Sequence, residues 1–281
     1  MRPMGEGKRK FDKKNLTKRI LSACVLVILF ASAGIAGGWY WFALTAVISL
    51  LGLFEFYRVY GIHKDVLGFL GYLTAAAFLL FTALDRTQLQ LVSLLFGFML
   101  IMTAYVFTYP KNDAGKAMAA AFGPVYTIVM LSYMYRVRML PDGLYLVWLI
   151  FTASWGTDVC AYIFGILFGK RKLAPELSPK KSIAGAVGGV LGAAGLGAVY
   201  ALIFGRYFNN VHHPVLACAV LSAAAGLISM TGDLLASAFK REHGVKDYSQ
   251  LIPGHGGILD RFDSVIFVSP IIFYILYFFR V

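Results

Sequence analysis

Apolar runs long enough to cross a bilayer follow one another from residue 20 almost to the end of the chain. A helix needs about 20 such residues to span roughly 30 Å of hydrocarbon. About nine runs meet that length, at 20–37, 39–60, 66–84, 88–109, 117–137, 143–168, 183–205, 214–238 and 264–280. Backbone N–H and C=O groups in lipid have no water to pair with, so each run is predicted to be a helix. The expected fold class is an all-α polytopic integral membrane protein. Composition agrees, with 59% hydrophobic and only 14% charged residues in 281, where a soluble domain carries roughly a quarter charged. The chain divides into a basic segment, 1–19, and a first membrane region, 20–140. A second region, 141–281, carries two polar loops, 170–182 and 240–262.

Positive charge sets the direction of threading. With the N-terminus in the cytoplasm, only Arg86, Arg136, Arg138, Arg206 and Arg280 of the 26 Lys and Arg fall outside. An odd number of spans and an N-in, C-out topology follow. The net charge of +12 is shared among short loops beside the membrane, so nucleic acid is not an expected partner. Residues 1–36 resemble a signal peptide, with Ala31-Ser32-Ala33 as a candidate cleavage site. The length of the basic region and the spans that follow favour a retained first helix. Cys24, Cys160 and Cys218 lie singly in apolar runs, a pattern that suits neither a disulfide framework nor a zinc site. The seventh span carries Gly185, Gly188, Gly189, Gly192, Gly195 and Gly197, small-residue spacing that suits close helix packing.

Acidic residues within spans need a reason, because an ionised Asp at mid-span costs about 2.5–3.5 kcal/mol even on lenient scales. Asp158 stands inside the sixth span, Asp233 near the inner end of the eighth, and Asp260 and Asp263 at the start of the ninth. All four fall in the cytoplasmic half of the expected topology. Glu55 has Arg58 one turn away, and a local pair accounts for it. Asp233, Ser237, Lys240 and Arg241 share one helical face, and so do Asp260 and Asp263. For Asp263 a helix-capping role is an alternative. Asp233 sits at a helix C-terminus, where the dipole disfavours an anion.

Between these faces runs a loop containing Lys246, Asp247 and Gly254-His255-Gly256-Gly257. With Lys240, Arg241 and Arg261 it is strongly basic. Its glycines are expected to let backbone N–H groups point at an anion. Carboxylates beside a cationic, glycine-rich loop suit a divalent metal and phosphate. A basic loop held by anionic lipid headgroups is the other reading.

The stretch Ser237-Ala238-Phe239-Lys240-Arg241, then Lys246-Asp247, then Leu251 to Asp263 through Pro253-Gly254-His255-Gly256-Gly257, resembles the signature of phosphatidate cytidylyltransferases. Gly232-Asp233 precedes it at the expected spacing. Asp158, Ala161-Tyr162, Gly165 and Gly169-Lys170, and the loop Ser178-Pro179-Lys180-Lys181-Ser182, resemble flanking elements of that family. The resemblance is dense over 154–270. Over 1–150 it rests on the pattern of spans and on Leu53-Phe54-Glu55-Phe56-Tyr57. One departure is Ala184, where the family usually has Glu.

The resemblance implies condensation of CTP with phosphatidic acid to CDP-diacylglycerol and pyrophosphate. It also implies Mg²⁺, a potassium ion as a second cation, a homodimer, and an inner-membrane location with the site facing the cytoplasm. On this reading Asp233, Asp260 and Asp263 are metal ligands and, with Ser237 and Lys240, form the catalytic set. Asp158, Lys170, Lys180, Lys181, Ser182, Arg241, Lys246, Asp247, Gly256, Gly257 and Arg261 bind substrate. Ser237 either donates to a phosphate or supports the metal, and His255 either contacts substrate or has a structural role. Two other classes compete. An ion-coupled transporter or scramblase would place Asp158 and Asp233 on an ion path, but paired broken helices in two related halves are not visible. Another lipid phosphoryl-transfer enzyme, such as a polyprenol kinase, fits the motif less well.

Overall fold

The computed structural model describes residues 13–252 and 256–279, with side chains from Val25 to Phe278 outside the 253–255 gap. Cys24 and His255, named above, therefore lie outside the described side chains. Helices dominate: α1 Lys13–Ala36, α2 Gly38–Val59, α3 Val66–Ala83, α4 Thr87–Thr108, α5 Ala114–Gly123, α6 Met130–Arg138, α7 Gly143–Leu146, α8 Trp148–Phe168, α9 Ile183–Phe204, α10 Pro214–Glu242 and α11 Leu259–Phe279. Among the described residues, eight helical segments are long and apolar enough to cross a membrane. The expected first span is represented by the shorter apolar stretch Val25–Ala36 of α1.

The expected fifth span is one rod in three pieces. A π-helical turn, Pro124–Val129, joins α5 to α6. Pro124 has no N–H to give the helix and its ring crowds the preceding turn, and a wider turn accommodates it. This places Tyr126 in the core, 2% exposed.

Contacts sort the loops onto two ends of the bundle. At one end Arg138 Nε donates to the Gly34 carbonyl at 2.9 Å, and the Asn210 N–H donates to Asp142 Oδ2 at 2.9 Å. At the other end Lys111 pairs with Asp65 and Tyr60 meets His243, their rings 4.2 Å apart. This is the partition of loops that the charge count requires. Glycine packing holds α8, α9 and α10 together. A Cβ on Gly192 would lie 2.4 Å from Cys160 Sγ, and one on Gly197 2.5 Å from the Cys218 carbonyl oxygen. Cys160 and Cys218 are free.

Two local features depart from the sequence reading. Residues 172–182 form a hairpin, β1 Lys172–Ala174 antiparallel to β2 Ser178–Ser182, in place of an irregular loop. α11 starts at Leu259 rather than 264, and α10 runs on to Glu242. The reason for the early start of α11 is Glu55, a residue far away in sequence.

Candidate active site

The first N–H groups of a helix have no partner inside it. In α11 they are met by Glu55, which is 1% exposed. Its Oε1 accepts from the Ile258 N–H at 2.9 Å and from Ser249 Oγ at 2.5 Å, and its Oε2 accepts from the Leu259 N–H at 2.7 Å. Glu55 is thus a long-range cap, not half of a local pair with Arg58. A Cβ on Gly257 would stand 2.5 Å from Glu55 Oε2, so this glycine is required by close approach. Gly256 has φ +86°, a left-handed turn that favours glycine. The Ile252 N–H donates to its carbonyl at 2.9 Å.

Asp260 completes the same structure. Its Oδ1 accepts from Lys240 Nζ at 2.7 Å, and its Oδ2 from the N–H groups of Tyr248 (2.9 Å) and Gly257 (3.0 Å). The expectation that the N–H groups of this loop await a bound anion is corrected here. Those of Tyr248, Gly257, Ile258 and Leu259 already have protein carboxylates, because Glu55 and Asp260 are the anions nearest to them. Tyr248 is buried in this knot, 3% exposed. Burial first, then the neighbouring Tyr126, Asp263 and Asp260, push its phenol well above the ordinary tyrosine range.

Asp233 and Asp263 are brought together by Gly232. A Cβ there would be 2.6 Å from the Asp263 carbonyl oxygen, so α10 and α11 touch backbone to backbone. Asp263 is 7% exposed and accepts from the Ser264 N–H at 2.7 Å. Asp233 pairs with Lys181 at 2.5 Å, and Ser237 Oγ reaches it at 3.5 Å. Asp158, Asp233 and Asp263 are close enough to act electrostatically on one another.

A cavity of about 650 Å³ opens over Asp158 and Asp233. α8, α9 and α10 form its walls, and the hairpin supplies Lys172, Lys180, Lys181 and Ser182. Ser182 ends β2 and starts α9, its Oγ accepting from the Gly185 N–H at 3.1 Å. From Asp233 to the end of α10 the helix rises about 14 Å, and from Asp158 to the end of α8 about 15 Å. The carboxylates therefore lie well below the helix ends, on a floor within the span, with lysines above them. Tyr126 adds a buried hydroxyl with no hydrogen-bond partner among the described residues, within electrostatic reach of Asp263 and Asp233.

Not every expected residue joins this cavity. Lys246 and Asp247 line a different one, of about 810 Å³, with Arg58 and Ser249 between α2 and the loop. Lys170 and Arg241 are exposed and line neither cavity. The Arg261 carbonyl accepts from Trp155 Nε1 at 3.2 Å, and its charge acts on Asp158. Ala184, in the first turn of α9, brings no carboxylate. Glu55, Lys172, Tyr126 and Tyr248 are additions. Of these Lys172 had a visible signal in the run Lys170-Arg171-Lys172, and Glu55 in its place within a span and in the run Leu53-Phe54-Glu55-Phe56-Tyr57, though its partner was misread.

Among the described residues no three His, Cys, Asp or Glu side chains are grouped to hold a metal ion. Mg²⁺ needs fewer, since it often takes one or two carboxylates and completes its shell with water and phosphate oxygens. Asp233 and Asp263 fit that demand, being adjacent carboxylates whose charges repel. Asp260 fits less well, with both oxygens engaged.

Fold and site together define a polytopic helical membrane enzyme with a charged cavity sunk among its spans. The model of the cytidylyltransferase family matches residues 17–279. A phosphatidate cytidylyltransferase of Haemophilus influenzae is 34% identical, over 94% of this chain and 99% of its own length. Proteins of that name from Bacillus subtilis and Synechocystis are 31% and 30% identical, over 93% and 92% of this chain and 98% and 95% of theirs. The chain belongs to the cytidylyltransferase family and is a nucleotidyltransferase.

Proposed function

We propose that this enzyme condenses CTP with phosphatidic acid, giving CDP-diacylglycerol and pyrophosphate at the cytoplasmic face of the inner membrane. The observation that carries the reading is the cavity in which Lys172, Lys180 and Lys181 stand over Asp158 and Asp233 within the span. Lysines at an entrance suit a triphosphate arriving from water. A floor within the span suits a lipid phosphate arriving from the bilayer.

A phosphate oxygen of phosphatidic acid attacks the α-phosphorus of CTP in line. A new P–O bond forms there, the bond from the α-phosphorus to the bridging oxygen breaks, and that oxygen leaves with pyrophosphate. Both substrates are anions, so positioning and charge stabilisation supply most of the catalysis. Lys172, Lys180 and Lys181 hold the triphosphate, and Lys181 exchanges its pairing with Asp233 for a phosphate. Arg261, whose charge already reaches Asp158, meets the lipid phosphate. Asp233 and Asp263 would hold Mg²⁺, which screens repulsion between the substrates and stabilises the leaving group. Glu55, Asp260 and Lys240 fix the first turn of α11 and so set where Asp263 stands. The resemblance also implies a homodimer, which would elute at twice the 30.9 kDa chain mass once bound detergent is subtracted.

The test uses purified protein, phosphatidic acid, Mg²⁺ and CTP labelled on either the α- or the γ-phosphate. Label from the α position should enter lipid, and label from the γ position should appear in pyrophosphate. Label from the γ position in lipid would make the protein a lipid kinase. No transfer from either position, in metal-replete conditions, would refute the reading.

A further inference from the structure

The first turn of α11 has a second face, turned away from the charged cavity. Phe262 stacks on Phe30 of α1, their ring centroids 5.6 Å apart, and meets Trp155 of α8 edge-on at 6.3 Å. Beside these rings lies a groove of about 280 Å³ between α1, α8 and α11. Apart from Arg261 its lining is apolar, with Val27 and Ala31 on the α1 side. Val27 is 63% exposed and Trp155 39%, so the groove opens on the outer surface of the bundle, where lipid chains lie. Arg261 belongs to both environments. It lines the groove, and its charge acts on Asp158 in the polar cavity. Trp155 ties the two together through its hydrogen bond to the Arg261 carbonyl.

We propose that this groove is the acyl-chain subsite of the lipid substrate. One chain of phosphatidic acid lies against Phe30, Phe262 and Trp155, and the phosphate at its head turns past Arg261 toward the carboxylates. The inference rests on the reading of phosphatidic acid as substrate. Three features favour this occupant over bulk lipid. The groove is apolar along its length, it has one cation at its rim, and that cation is coupled to the reactive cavity. A tail held here fixes the depth of the phosphate, so the groove would serve positioning as well as affinity.

The test compares a long-chain phosphatidic acid in mixed micelles with a dihexanoyl one, in wild-type protein and in Ala31→Trp and Val27→Trp. The indole fills the groove in both variants, and Val27, being exposed, accepts it without displacing core. The KM for the long-chain lipid should rise about tenfold, the size of losing the burial of about two methylene groups. The KM for the dihexanoyl lipid and for CTP should stay at the wild-type value. Variants that are active and keep the wild-type preference for the long chain would overturn the subsite, leaving the groove to bulk lipid. An equal loss for both lipids would overturn it too, because the damage would not depend on the tail. A wild-type protein that transfers no label to either lipid would instead overturn the substrate reading itself.

Discussion

Two sets of carboxylates lie close together and are treated in opposite ways. Glu55 and Asp260 are saturated: between them they accept from four backbone N–H groups, a serine and a lysine. Asp158 and Asp233 line an open cavity, where Lys181 is the cation nearest Asp233. A carboxylate with both oxygens engaged, three bonds in all, holds a shape. One whose charge is met by a lysine at the edge of an open cavity can exchange that partner for a metal or release it to a phosphate. Asp260 lies within the motif that resembles the family signature and Asp233 just before it, so the signature region carries both kinds.

The contrast can be broken from the saturated side first. Asp260→Ala should be the most damaging change to folding, because it leaves Lys240, its side chain 13% exposed, without its counter-charge. Removing one partner of a buried pair costs about 3–5 kcal/mol. Thermal unfolding in detergent reads this directly, and the double change Lys240→Met with Asp260→Leu should recover much of it. A single variant that melts like wild type would show that the pair is not structural.

Glu55→Ala comes next. It strips the acceptor from the N–H groups of Ile258 and Leu259, each buried group left unpaired costing about 1–3 kcal/mol. Melting temperature and activity should fall together, and Glu55→Gln, which keeps one acceptor oxygen, should restore part of both. A Glu55→Ala protein that is fully stable but inactive would move Glu55 from the scaffold into the chemistry.

The smallest effect belongs to the entrance of the open cavity. Lys180 is exposed, and one solvent-facing ion contact is worth about 0.2–1 kcal/mol. Lys180→Met should raise the KM for CTP by roughly two- to fivefold with kcat and melting unchanged. A large fall in kcat would place this lysine at the reacting phosphorus.

What the sequence made legible follows the range of the forces involved. Span positions were readable because burial in lipid acts on every residue of a run, and the eight helices found lie where hydropathy placed them. The gathering of Asp158 and Asp233 at one end followed from threading alone. The start of α11 was not readable, because its cap comes from Glu55, about two hundred residues earlier. Nearby Arg58 offered a plausible local partner that the fold does not use. The hairpin at Lys172–Ser182 escaped because its strands are three and five residues long and mostly charged or exposed. The parting of Lys246 and Asp247 from Asp233 escaped for a different reason. The paths of residues 248–252 and 256–259 are set by hydrogen bonds to Asp260 and Glu55, and periodicity carries no trace of them.

The division between holding and reacting carboxylates is tested most directly at Asp233. Asp233→Asn keeps the size and the acceptor oxygen but removes the charge. The measurement is single-turnover transfer of α-phosphate label from CTP to phosphatidic acid, with the melting temperature taken on the same sample. Melting should match wild type, and transfer should fall about 10²–10³-fold, the usual loss for one electrostatic contact to a transition state. An Asp233→Asn protein that melts like wild type and transfers label within a few-fold of it would contradict the assignment.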